Sequence, residues 1–115
     1  MNTRTAIESD ILSLKQLFLI LDGEVTGLAF ARVKDTPDYS NVKKRRLAHL
    51  TDLVVAEEHR GRGYGTELIR AAQKWAREKR AEAMRLMVFP ENLRAIQLYI
   101  EHGFTEVMRA MECEL

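Results

Sequence analysis

Apolar residues crowd two short runs near the front of the chain. Gln-Leu-Phe-Leu-Ile-Leu starts at Gln16, meets Asp22-Gly23-Glu24, and resumes as Val-Thr-Gly-Leu-Ala-Phe-Ala-Arg-Val to Val33. Two apolar strands around an Asp-Gly turn predict a β-hairpin. Between Asp35 and Arg46 the composition changes to Pro37, Asp38, Ser40 and Asn41, then Lys43-Lys44-Arg45-Arg46. This predicts exposed irregular chain with a mobile tip. Arg46 to Ala56 is β-branched and apolar toward its end, as in a central strand covered on both faces. Leu68, Ile69, Ala72, Trp75 and Ala76 then recur at steps of three and four, with Arg70, Lys74, Arg77 and Glu78 between them. That spacing predicts an amphipathic helix of about four turns. Met84 to Phe89 reads as a short strand stopped by Pro90. Asn92 is suited to cap a second helix carrying Leu93, Ile96, Tyr99 and Ile100 inward, with Gly103 as its left-handed terminator. Thr105 to Leu115 is available for a last strand. The order of elements describes one α/β domain with a mixed sheet, spanning 1–115.

A chain of 115 residues suffices for one hydrophobic core that hides roughly two-thirds of the unfolded surface. Eighteen basic and 17 acidic residues leave a formal charge of +1, too little to imply a polyanionic partner. The run Lys43–Arg46 has no aromatic residues for base stacking and reads as a solvated loop, so nucleic acid is not expected. Cys113 is the single cysteine and lies between Glu112 and Glu114. The acidic neighbours disfavour a thiolate, and a lone cysteine suits a reducing, cytoplasmic setting. The chain opens at Met1 without a leader pattern, and no apolar run reaches the roughly 18–20 residues of a membrane span. His49, His59, His102 and Cys113 lack ligand spacing, so no metal is expected, and no Gly-x-Ser-x-Gly marks a hydrolase.

The most informative segment is His59-Arg60-Gly61-Arg62-Gly63-Tyr64-Gly65-Thr66, which joins the buried strand to the amphipathic helix. Backbone N–H groups gather there at a helix start, where unpaired donors and the helix dipole together attract phosphate. Glycines let the backbone curl tightly or lie against an anion. The Walker pattern requires a lysine after its last glycine, whereas Gly65 is followed by Thr66-Glu67. The dinucleotide fingerprint requires a third glycine where this chain has Thr66.

What remains is Arg60-x-x-Gly63-x-Gly65, preceded by Leu-x-Asp-Leu-Val-Val-Ala and followed by Leu68-Ile69. With Val88-Phe89-Pro90-Glu91-Asn92, Ala95-Ile96-x-Leu98-Tyr99 and Gly103-Phe104 further on, the chain from about Gln16 to its end resembles the GNAT superfamily of N-acetyltransferases. The resemblance implies an α/β fold with a mixed central sheet and a strand, loop and helix that bind acetyl-CoA as cosubstrate. It implies pyrophosphate donors near Arg62, Gly63, Gly65 and Thr66, with Arg60 and Arg62 adding charge, and pantetheine partners on the backbone of Leu53, Val54 and Val55. It assigns Tyr99 to the thioester sulfur as general acid, and Asn92 to the pantetheine arm, where it also suits a helix cap.

Acetyl transfer to an amine needs a group that takes the amine proton. The family often places a carboxylate on the strand before the loop. Simple alternation puts His49 and Thr51 at the matching places on one face and Asp52 on the other. His49 is open to two readings, a base acting through water or a residue that lines the strand. Asp52 replaces it if a bulge turns the strand. About 15 residues precede Gln16, too few for the strand and two helices with which the family usually builds its acceptor side. The expected activity is therefore direct acetyl transfer from acetyl-CoA to an unidentified small-molecule or peptide amine, by an enzyme that homodimerises in many relatives. The alternative is a non-catalytic acyl-CoA-binding or regulatory domain.

Overall fold

The computed structural model describes residues 3–11, 14–21, 23–36 and 44–115. Its strands are β1 (Thr3–Ile11), β2 (Leu14–Leu21), β3 (Glu24–Asp35), β4 (Arg46–Val55) and β5 (Ala83–Leu86), and its helices α1 (Tyr64–Glu78) and α2 (Leu93–Glu101). Among the described residues the strands form one sheet in the order β1-β2-β3-β4-β5. The first four pair antiparallel, and β5 returns through α1 to pair parallel with β4.

The expected hairpin is β2–β3, with Gly23 at φ 82° in its turn. That left-handed conformation is one glycine adopts without steric cost. β1 was not foreseen. Thr3, Thr5 and Ile7 alternate with Arg4, Ala6 and Glu8, a period-2 signal too weakly apolar to stand out before β2 is present as its partner. The predicted mobile tip at 37–43 lies outside the described residues.

One face of the sheet holds the core. Leu17, Leu19, Ala29, Ala31, Ala48 and Leu50 pack against Leu68, Ala72, Trp75 and Ala76 of α1, and Leu68, Ile69 and Ala72 are fully buried. The helix therefore buries the stripe that its 3.6-residue period presents. Small residues on β3 and β4 let it lie close to the sheet. Gly27 is tightest, since a Cβ there would stand 3.0 Å from the Val54 carbonyl oxygen and 3.1 Å from Leu68.

Two antiparallel pairs contain a bulge whose extra residue is a threonine. Leu19 pairs with Gly27 and Ile20 with Val25, leaving Thr26 over; Phe30 pairs with Asp52 and Ala31 with Leu50, leaving Thr51 over. Each threonine hydroxyl donates to the opposite strand, Thr26 to the Leu19 carbonyl at 3.2 Å and Thr51 to the Phe30 carbonyl at 3.1 Å. The side chain thus supplies a cross-strand hydrogen bond where the ladder is interrupted.

Three expectations about the second half need correction. β5 ends at Leu86 rather than Phe89, because its last partner on β4 is Leu50, just before the bulge. Leu93 and Ile100 of α2 are 73% and 57% exposed; its contacts with the rest of the fold include those of Leu98, Tyr99 and His102. Thr105–Leu115 forms no strand and is exposed throughout. In the basic run, Arg45 contacts Glu82 at 3.4 Å and Arg46 contacts Asp35 at 2.8 Å, so both are engaged in fastening the start of β4. No helix among the described residues is long and apolar enough to cross a membrane.

Candidate active site

The bulge at Thr51 has two effects on β4. It ends pairing with β5 at Leu50–Leu86, so the strands diverge into a cleft of about 220 Å³ lined by Leu50–Val54, Leu86–Phe89, Asn92 and Tyr99. It also resets the alternation of side chains beyond it. Leu53 and Val55 still pack against the core, so Asp52, paired with Phe30, points to the opposite face, the one His49 occupies. The expected opposition of His49 and Asp52 is therefore corrected: both lie on the face away from α1. Asp52 lines the cleft, whereas His49 lies in the still-paired part of β4, outside it.

His49 is held below its ordinary pKa, first by burial and then by Arg32, Arg85 and Lys34. Its imidazole is accordingly neutral at pH 7 and a weaker base than a free histidine. Tyr99 is half-buried on α2, edge-on to Phe104 with ring centroids 5.7 Å apart, and burial raises its pKa above 10. The phenol is thus a permanent hydrogen-bond donor at neutral pH. Asn92 caps α2 by accepting from the Ala95 amide at 3.2 Å, and it also lines the cleft.

At the far end of the cleft β4 runs through a single 3₁₀ turn, Glu57–His59, into the glycine loop. Gly61 and Gly63 have φ of 79° and 83°. A Cβ at either would meet nothing within 4 Å, so glycine is required there by backbone conformation and leaves the approach to the loop clear. Gly63 is the N-cap of α1 and no side chain caps the helix. The amides of Gly65 and Thr66 therefore retain their capacity for an outside acceptor. Gly65 serves packing: its Cβ would lie 3.2 Å from Leu98 of α2. Arg62 is exposed, while the Arg60 Nε donates to the Val55 carbonyl at 3.1 Å and ties the loop to the end of β4. One of the backbone groups expected to meet a pantetheine arm is thus engaged within the chain, and Leu53 and Val54 lie in the cleft wall.

Two contacts were not foreseen. Thr66 Oγ1 and His102 Nε2 are 3.1 Å apart, and Gln73 donates to the His102 carbonyl at 3.4 Å, fastening the C-terminus of α2 to the first turn and the middle of α1. The pair is far apart in sequence, and no local pattern announces it. His59 packs edge-on against buried Tyr64, and its Nδ1 is buried without a hydrogen-bond partner among the described residues.

The cleft thus combines a strand that parts from its neighbour, a helix start without a side-chain cap, and a carboxylate and a phenol on its walls. The description "Acetyltransferase (GNAT) family" matches residues 6–104. The uncharacterized N-acetyltransferase YobR of Bacillus subtilis (strain 168) is 50% identical over 58 residues, which are 50% of this chain and 24% of that protein. The N-alpha-acetyltransferase of Sulfurisphaera tokodaii is 36% identical over 92 residues, 76% of this chain and 54% of the relative. The chain thus spans between about a quarter and about a half of the length of these relatives. Among solved structures, AAC(6')-Iy in complex with the bisubstrate analog CoA-S-monomethyl-acetylneamine superposes with a TM-score of 0.76 at 27% identity, covering 90% of this chain and 69% of that one. With a family match running from the middle of β1 to the residue after Gly103, this chain belongs to the GNAT family of acetyltransferases.

Proposed function

We propose that the protein transfers an acetyl group directly from acetyl-CoA to an amine acceptor, with Asp52 as the general base and Tyr99 as the donor to the departing sulfur. The observation that carries this reading is the bulge at Thr51, beyond which the cleft opens with both Asp52 and Tyr99 in its lining. The uncapped first turn of α1 and the open backbone at Gly61 and Gly63 suit a pyrophosphate. Arg62 and the amides of Gly63, Gly65 and Thr66 would hold it. Leu53 and Val54 would take the pantetheine amides by strand-like pairing on the edge that β5 leaves, and Asn92 would meet the same arm.

The cosubstrate supplies an activated acyl carbon; the chain supplies positioning and proton handling. A primary amine near pKa 10 arrives protonated and must lose a proton before it forms the C–N bond. Asp52 accepts that proton, directly or through one water, before the nitrogen attacks, and the second proton that the nitrogen sheds as the amide forms passes to solvent. The C–S bond then breaks, and the thiolate takes a hydrogen bond from the Tyr99 hydroxyl. Full transfer from a phenol near 10 to a thiolate near 8.5 runs uphill by about 1.5 units, or roughly 2 kcal/mol. Burial, which raises Tyr99 further, favours hydrogen bonding over early transfer.

The test follows free-thiol release from acetyl-CoA across a panel of amines, for the unaltered protein and for Asp52→Asn, His49→Gln and Tyr99→Phe. A large loss in Asp52→Asn with retained acetyl-CoA affinity supports the assignment. A comparable loss in His49→Gln with an unaffected Asp52→Asn would return the base to His49. Binding of acetyl-CoA without turnover of any amine would reduce the reading to an acyl-CoA-binding domain.

A further inference from the structure

The face of the sheet turned away from α1 carries a charge pattern that acetyl transfer as described does not use. Arg32 of β3 stands opposite His49 of β4, and His49 stands beside Arg85 of β5. The three leave the same face, because Ala31, Val33, Ala48, Leu50, Met84 and Leu86 belong to the α1 side and strand side chains alternate. With strands about 4.8 Å apart, two guanidinium stems flank one imidazole across roughly 10 Å. Lys34 stands two pairs further back, opposite Leu47. His49 responds to Arg32, Arg85 and Lys34 together.

Of the nearby carboxylates, Asp35 is engaged with Arg46 and Glu82 with Arg45, and Asp52 forms no ion pair among the described residues. Among the described residues Arg32, Lys34 and Arg85 form no ion pair. Like charges side by side across strands destabilise a sheet, and an anion bridging them would relieve that cost. Planar guanidinium forks suit carboxylate and phosphate in particular. Asp52 lies on the same face three residues along β4, roughly 8–10 Å away at about 3.3 Å per residue.

We infer that the acceptor is an amine that also carries a carboxylate or phosphate group, with the anion held between Arg32 and Arg85 over His49 and the amine presented to Asp52. The amine half of this inference rests on the acetyl-transfer reading; the anion half does not, and the experiment separates them. The first arm follows the His49 imidazole by NMR through a pH titration at constant ionic strength, with glutarate or inorganic phosphate added. A bound anion raises the His49 pKa in the unaltered protein and leaves it unmoved in the Arg32→Gln/Arg85→Gln variant. A response to one probe and not the other decides between carboxylate and phosphate. No response to either overturns the anion site, even if acetyl-CoA binds and amines are turned over.

The second arm compares matched acceptors: 6-aminohexanoate with hexylamine, and 5-aminopentyl phosphate with pentylamine. The favoured acid-bearing amine is expected to show at least 10-fold higher kcat/KM, mainly through KM. The double variant is expected to lose the preference while keeping its affinity for acetyl-CoA. Equal turnover within both pairs, or a preference that survives the double substitution, overturns the inference. Failure of acetyl-CoA to bind would instead remove the transfer reading, and the His49 titration would still decide the anion site.

Discussion

At the residue scale the site depends on Thr51, an exposed side chain that lies outside the core. Its extra place in β4 puts Asp52 on the cleft wall and its hydroxyl bonds the Phe30 carbonyl. Loss of a positioned base typically costs 10²–10⁴-fold, so Asp52→Asn is expected to lower kcat/KM at least about 100-fold in steady-state assays, with acetyl-CoA affinity unchanged by calorimetry. Tyr99 makes a second residue-scale prediction. Because burial raises its pKa above 10, the hydroxyl stays protonated from pH 7 to 9. The rate deficit of Tyr99→Phe, on the order of 10-fold or more for one lost hydrogen bond in the transition state, is therefore expected to stay constant across that range. A deficit that vanishes by pH 9 would show that the phenol ionises early and is not the donor assigned here.

At the element scale, the contacts that set strand and helix positions are made by small residues and by charges. Gly27→Ala places a Cβ against the Val54 carbonyl oxygen and Leu68. The backbone atom cannot yield as a side chain does, so a loss of about 1–3 kcal/mol is expected from urea unfolding. Gly65→Ala meets the flexible end of Leu98, and alanine favours the helix by roughly 1 kcal/mol; its stability is expected to stay near that of the parent protein. The Arg32–His49–Arg85 row gives a pH dependence whose sign can be worked out. His49 has a lowered pKa in the fold, so the unfolded chain binds its proton more readily, and stability declines as pH falls from about 6.5 toward the folded value. Arg32→Gln removes one cause of the lowering and should shrink that decline. Unfolding midpoints at pH 5.5 and 7.5 for both proteins check this, and an unchanged difference would refute the coupling.

At the scale of the whole molecule the two faces of the sheet are unequal. One carries α1 and the core; the other carries partly buried Phe18, Leu28, Phe30 and His49 beside exposed Arg32, Lys34 and Asp52. Acetyl-CoA entering the β4–β5 cleft would bridge β4, the start of α1 and Tyr99 of α2, elements whose relative positions the fold otherwise secures by few contacts such as Thr66–His102. A ligand at 100 times its dissociation constant adds about 2.7 kcal/mol. For a domain of this size that raises the thermal midpoint by roughly 10 °C, with ATP and NAD as controls. The absence of a selective shift at millimolar acetyl-CoA would remove the transfer reading.

The strongly periodic elements were legible in the chain alone: the β2–β3 hairpin from two apolar runs around Asp22-Gly23, α1 from the spacing of Leu68, Ala72 and Trp75, and the glycine loop from its place between strand and helix. Each rests on local physics, a turn conformation or a repeat of side-chain direction, that neighbouring residues specify together. The family likeness was carried by the same local segments. Tertiary structure decided what depends on strand pairing. One unpaired residue, Thr51, inverts the faces of everything beyond it, so alternation counted along the sequence put Asp52 on the wrong side. The exposure of Leu93 and Ile100, the unpaired tail from Thr105, the Thr66–His102 contact and the Arg32–His49–Arg85 row likewise depend on which surfaces meet. Such meetings join residues distant in the chain, and local propensity contains no record of them.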